Sequence, residues 1–233
     1  MANINLNRRA EIGREKRART RAQLIAAANE LFANQAPESV TIDDVVRKAG
    51  VAKGTFYVHF DGLEALIAAV AEELVQTFDE LLQPSRLSIN DPVLRIAFGC
   101  SSFINKALSD PTWAALVSRM AAAAPEGGEL ARRHLFEDLQ QFAKGLPGDG
   151  ASAELNLEIV VGILLQLMRA LGEGRLSSFD RDAAVSAILR AIGLNARQVK
   201  SVLARVSAPA DGAMPDGPLP PKSQHPGGPN NAA

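Results

Sequence analysis

The amino-acid sequence predicts an all-α protein, and three observations predict it. Apolar residues recur every three or four positions through successive segments, and no segment alternates apolar with polar residues as a half-buried strand would. Asp, Pro or Gly stands near most of the boundaries between segments. Of the 233 residues, 47% are apolar and 22% charged, which suits a packed core and excludes a disordered chain. A lone cysteine, Cys100, cannot form an internal disulfide, and the N-terminus lacks the apolar run of a secretory signal. Both features place the protein in the reducing cytoplasm. The most apolar stretch, residues 159–168, is bounded by Glu158 and Arg169 and falls short of the roughly 20 residues that a bilayer requires, so no membrane span is expected.

Taken in order, residues 1–17 form a basic arm. Leu24, Ala28, Leu31 and Phe32 then share one face of a first helix over about 14–34. Past Pro37, Thr41 precedes Asp43 and Asp44 as a helix N-terminus prefers, and Ile42, Val45, Val46 and Ala49 give the core face of a second helix. Gly50 stands where a left-handed cap needs a residue without a β-carbon. A third, short helix fits 52–60, with Phe56 and Phe60 on one face; it is too short to stand alone. A longer helix over 61–83 carries Leu63, Leu66, Ile67, Val70, Leu74 and Phe78 as its stripe. Further helices are expected over 91–108, 111–123, 129–144, 152–172, 180–192 and 196–206. From Ala208 onward, seven Pro and four Gly in 26 residues predict a disordered tail.

Net charge is −1, but its distribution is uneven. Residues 1–60 hold ten Lys/Arg against six Asp/Glu, and residues 61–233 hold fifteen against twenty. The basic end is where a polyanion would bind. Three short helices with a tight Gly turn before the last have the geometry of a helix-turn-helix over about 41–60, whose last helix enters a DNA major groove. Lys53 and Thr55 occupy its first turn, Gly54 permits close backbone approach, and Tyr57 and His59 can hydrogen-bond phosphates. Thr41 and residues 52–55 stand at helix N-termini, where backbone N–H groups attract anions.

The run TIDDVVRKAGVAKGTFYVHFDGLEAL, residues 41–66, resembles the DNA-binding domain of the tetracycline-repressor (TetR) family of bacterial regulators, without gaps. The resemblance covers about 18–78; residues 79–207 match as a helical domain of suitable length and position. It implies a homodimeric, usually repressing transcription factor that binds a palindromic double-stranded DNA operator and is released by a small ligand held in the larger domain. Residue by residue, it implies that Thr41, Ala52, Lys53, Gly54, Thr55, Tyr57 and His59 face DNA, and that Phe56 and Phe60 are buried. Two positions depart from the pattern. Ala52 stands where Ser or Thr is frequent, and Leu63 where a phosphate-binding Lys is usual.

In the larger domain, Phe78, Phe98, Cys100, Phe103, Trp113, Met120, Phe136 and Met168 cluster on the middle helices and are candidates to line a ligand cavity. Arg119, His134, Gln166 and Arg169 are candidate polar groups there, and a mainly apolar or aromatic effector is expected. The helix over 152–172 is apolar nearly all round and calls for cover on several sides. Pairing of Val161, Leu165, Val185, Ile188, Leu189 and Ile192 with their copies about a two-fold axis would make a four-helix bundle, and the family resemblance implies the same pair.

Catalysis is not expected. Gly50-Val51-Ala52-Lys53-Gly54-Thr55 reverses the Gly-Lys order of a phosphate loop and follows no strand. His59, His134 and His225 have no metal-ligand spacing, no cofactor is implied, and Cys100 in FGCSSF reads as core filler. A second reading from another class is a helical interaction protein of the same fold that has lost sequence-specific DNA binding and is controlled by a protein partner. Ala52 and Leu63 motivate it.

Overall fold

The computed structural model describes residues 2–125, 127–144 and 152–206, and the described residues form helices without a strand. The proline- and glycine-rich segment from 208 onward, expected to be disordered, lies outside them. The N-terminal head comprises α1 (Ala2–Asn34), a single 3-10 turn (Pro37–Ser39), α2 (Ile42–Ala49) and α3 (Lys53–Tyr57). A long α4 (Leu63–Leu87) leads into α5 (Pro92–Ser109), α6 (Pro111–Ala123), α7 (Glu129–Ala143), α8 (Ala153–Gly172), α9 (Arg181–Ala191) and α10 (Ala196–Val206).

Local chemistry sets most of these boundaries. The carboxylate of Asp91 accepts the Val93 and Leu94 N–H groups, Asp110 accepts that of Trp113, and Asp180 that of Asp182. Pro92 and Pro111 occupy first-turn positions, where a missing N–H costs nothing. Two helices run past their expected ends. First, α1 begins at Ala2 rather than near residue 14, so the basic arm is helical. Its Ala, Arg, Lys and Glu are good helix formers, and its described side chains from Glu11 to Arg19 are exposed. Second, α4 continues through Pro84 to Leu87. Pro84 removes only its own N–H, and Arg86 in that last turn is tied to α7 by a hydrogen bond of 2.9 Å to the His134 carbonyl.

Three apolar clusters hold the chain together. Leu24, Phe32, Val45, Phe56, Phe60 and Leu66 fill the head, and Leu116 and Met120 of α6, with Ala124 just past its end, join the same cluster, so the head is not an isolated domain. Phe78, Leu82, Trp113, Met168 and Leu171 join α4, α6 and α8. The third cluster unites α5, α7, α8, α9 and α10, and it takes up part of the expected dimer face. Val185, Ile188 and Leu189 are 0% exposed and Ile192 3%. They pack with Leu94, Ile104, Val199 and Val202 of the same chain, because α5 and α10 cover α9. Their side chains pack inside the protomer, and Ala183, Ala187, Arg190 and Ala191 are the exposed positions of α9.

By length and composition only, α8 is long and apolar enough to cross a membrane, a property that a helix of a protein core shares. The helical span adds flanking apolar residues to the stretch 159–168. Only 28% of its most apolar window is buried, and Leu155 is 53% exposed.

Candidate functional site

The reading head is built by local rules. The Thr41 hydroxyl accepts the Asp44 N–H at 3.2 Å, while the Thr41 N–H donates to Asp44 Oδ2 at 3.1 Å, a reciprocal cap that starts α2. The same hydroxyl donates to Asp44 Oδ2 at 2.6 Å, and these bonds hold the Asp44 carboxyl below its usual value. Thr41, expected to face DNA, is exposed, but its polar groups are committed to the cap. At the other end of α2, Gly50 takes φ 68° and ψ 33°, and the Val51 N–H returns to the Val46 carbonyl at 3.1 Å. That tight reversal throws α3 across α2.

Phe56, 0% exposed, anchors α3 with its ring 5.7 Å from that of Phe60. The opposite face turns out: Ala52, Lys53, Gly54 and Tyr57 are exposed, and Thr55 and His59 half-buried. Ala52 supplies no side-chain cap. Lys53 Nζ lies 2.9 Å from Asp43 Oδ1, whose carboxylate pushes the Lys53 pKa up, so a phosphate would compete with Asp43 for a fully charged ammonium. Leu63, at the start of α4, is half-buried against the head cluster, an apolar contact where a lysine would reach outward.

A cavity of about 400 Å³ opens between α4, α5, α6, α7 and α8. Of the residues expected to line it, Phe98, Cys100, Phe103, Met120, His134 and Met168 do. Burial pushes the Cys100 thiol up to about 12, so it is an inert wall group. Phe78 and Trp113 do not line it. Their rings pack behind the wall, Phe78 meeting Phe103 edge to face at 4.9 Å and Trp113 at a tilt at 5.4 Å. Phe136 packs toward the α5–α9 cluster instead. Val161 and Leu165, expected at a dimer face, line the cavity. Gln166 and Arg169 are exposed, and Arg169 pairs with Glu173 at 3.0 Å. Arg119 turns away to donate to the Ala33 carbonyl at 3.1 Å. In each case the helix's rotation about its axis decided the outcome, and sequence periodicity defines that rotation only loosely.

One end of the cavity is charged, which apolar periodicity did not reveal. Asp138, 2% exposed, accepts from Arg86 Nη2 at 2.9 Å and from Arg95 Nε at 2.6 Å. Asp79, 5% exposed, presents Oδ2 to Gln83 Nε2 at 2.9 Å and to His134 Nδ1 at 2.8 Å. A signal was there. Asp79 falls between Phe78 and Leu82 on the apolar stripe of α4, and Asp138 between Leu135 and Leu139 on that of α7. A carboxylate at a core position is seldom there without partners. Among the described residues no group of His, Cys, Asp and Glu could hold a metal ion.

Residues 24–70, the head from mid-α1 into α4, match the family model described as bacterial regulatory proteins, tetR family. The head is therefore of the TetR DNA-binding type. Similar proteins include YvdT, an uncharacterized HTH-type transcriptional regulator of Bacillus subtilis, 40% identical over 60 residues, 25% of this chain and 31% of that protein. TtgR of Pseudomonas putida, an HTH-type transcriptional regulator, is 35% identical over 72 residues, 31% of this chain and 34% of that protein. The matched part thus spans about a third of the length of these relatives. Among solved structures, RolR in complex with resorcinol aligns with a TM-score of 0.63 at 25% identity, over 84% of this chain and 96% of that one. FadR from Bacillus subtilis in complex with stearoyl-CoA shares the fold, with a TM-score of 0.59 at 18% identity, over 75% of this chain and 99% of that one.

The TetR-type head and the cavity share residues. Ala71 and Met120 belong to the head's apolar cluster and also line the cavity. Two polar ties join the same parts. Arg119 of α6 caps the last turn of α1 at Ala33, and Glu72 of α4 accepts the Gly128 and Glu129 N–H groups at 2.7 and 3.0 Å, where α7 begins.

Proposed function

We propose that the protein is a cytoplasmic, homodimeric repressor that binds a palindromic operator and leaves it when a small ligand enters the cavity. The observation that carries this reading is the shared core: Met120 touches both the cavity and the cluster that seats α3. A ligand that moves α6 or α4 by a fraction of an ångström changes the seat of the reading helix. Two heads must sit about 34–36 Å apart, one DNA turn, or a multiple of it, to use successive major grooves. Ligand therefore needs only to alter that separation. It must bind the released state better than the DNA-bound state, and DNA must weaken ligand binding by the same factor.

For DNA, the exposed Lys53, Gly54 and Tyr57, with Thr55 and His59 beside them, supply the base-edge and phosphate contacts. Thr41 contributes by fixing the start of α2. For dimerisation, α8 is the supporting element: Leu155, Gly162 and Gln166 are exposed along one side of a helix otherwise rich in apolar residues. The protein acts by binding, without catalysis.

The test is binding of the full chain to fragmented genomic DNA of its source organism, sequenced at moderate and raised salt, beside its mass by light scattering. A palindromic site that survives added salt, bound by a dimer, is expected. Diffuse binding abolished by salt would overturn the repressor reading, and a monomeric mass at micromolar concentration the dimer.

A further inference from the structure

We propose that the charged end of the cavity selects a neutral aromatic ligand bearing hydroxyl groups, whose protons are accepted by Asp79 Oδ1 and His134 Nε2; this rests on the ligand-controlled reading above. Arg86 and Arg95 suggest at first sight a site for a carboxylate or phosphate, yet both are already engaged. Arg95 donates through Nε to Asp138, through Nη1 to the Ile89 and Asn90 carbonyls at 2.9 and 3.1 Å, and through Nη2 to Gln141 at 2.6 Å. Arg86 spends Nε and Nη2 on Asp138 and the His134 carbonyl. The third arginine of the wall, Arg132, is paired with Glu158. An acidic ligand would have to break these ion pairs or enter without a counter-charge, and breaking the buried pairs to Asp138 is costly.

Asp79 differs, because no arginine or lysine among the described residues pairs with it. With Asp79 ionised, a proton on His134 Nδ1 satisfies the 2.8 Å approach to Oδ2. Gln83 Nε2, 2.7 Å from Nδ1, then directs its hydrogen to the same Oδ2. That tautomer leaves His134 Nε2 as an acceptor. Asp79 Oδ1 and His134 Nε2 have no partner among the described residues, and both side chains line the cavity. Of the wall groups outside the arginine ion pairs, Asp79 and His134 therefore have accepting atoms to spare, and what they take is a donor. Formal charge then favours a neutral donor: Asp79, Asp138 and Glu158 on the wall balance Arg86, Arg95 and Arg132. The rest of the lining is apolar, with Phe98 and Phe103 offering ring faces and Met120 and Met168 adaptable thioethers. At about 400 Å³ the cavity lies toward the small end of ligand sites, roughly 300–1,000 Å³, which suits a compact aromatic molecule.

The test is calorimetry on the full chain, without DNA, using resorcinol, benzoate and benzylamine as probes of one ring size and different charge. Resorcinol should bind at least tenfold more tightly than either charged probe. Asp79→Asn should weaken resorcinol at least tenfold, with the melting curve confirming that the variant is folded. Benzoate or benzylamine binding as well as resorcinol, no resorcinol binding at millimolar concentration, or a folded Asp79→Asn with unchanged affinity would each overturn the proposal. The ranking of probes on the wild-type chain decides the question even if the variant does not fold. Release of genomic DNA, measured separately, tells the two readings apart. Resorcinol bound through Asp79 without DNA release sinks ligand control alone, whereas release by benzoate sinks the hydroxyl-donor proposal alone.

Discussion

Phe56 in the head and Phe98 in the ligand region are both aromatic residues on apolar helix faces, yet Phe56 is fully buried while Phe98 is half-buried beside open space. The difference extends to their surroundings. Around Phe56 the stabilising contacts are mostly local: the Thr41–Asp44 cap, the Gly50 reversal and the Phe56–Phe60 pair fall within twenty residues. Around Phe98 they are long-range, with Arg86 and Arg95 reaching Asp138 across about fifty positions. A reading head gains from a single rigid geometry, whereas a ligand site must leave room and hold its polar groups ready. The first can be written in short motifs. The second depends on how five helices meet.

The sharpest way to break this comparison is truncation at the two phenylalanines. Phe56→Ala should cost about 3–5 kcal/mol, the usual range for emptying a packed aromatic site. Phe98→Ala should cost less, because its ring already borders a void. Equal destabilisation in chemical denaturation would show that the cavity is as tightly packed as the head.

Next in size is the exposed basic half of α1. Arg21 sits 5.1 Å from the Phe60 ring centroid, and the residues before it, 11–19, are exposed. Replacing Arg14, Lys16, Arg17 and Arg19 with Gln should lower the slope of log affinity against log salt by up to about 3.6, at about 0.9 for each phosphate no longer neutralised. An unchanged slope would leave DNA binding to the helix-turn-helix alone.

Smaller still is Ala52→Ser, which restores a hydroxyl at the start of α3. It should stabilise the head by about 1 kcal/mol and tighten DNA binding, as measured by thermal melting and titration. No gain would mean that packing of Phe56 alone fixes α3. The least effect concerns pH. The Asp44 carboxyl is held below its ordinary 3.8 by the Thr41 hydroxyl and N–H, so its contribution to stability is present above that value. It is lost as pH falls through the lower, folded-state value. Thr41→Ala should flatten that acid limb of the head's melting profile, measured by circular dichroism.

The sequence by itself determined the helical class, the order of helices, the capped turn of the head and which face of α3 turns outward. These follow from contacts a few residues apart and from strong local preferences, such as a threonine cap and a glycine in the left-handed region. Phe98, Phe103, Met120 and Met168 were legible as candidates because apolar residues at helical spacing must face some interior. Only the tertiary structure decided that Phe78, Trp113 and Phe136 lie behind the cavity wall, that Arg119 caps α1, that α9 is covered by α5 and α10, and that Asp79 and Asp138 form a polar end. The physical reason is rotational. A stripe of apolar residues leaves a helix free to turn by tens of degrees at little cost, and only packing against its neighbours removes that freedom.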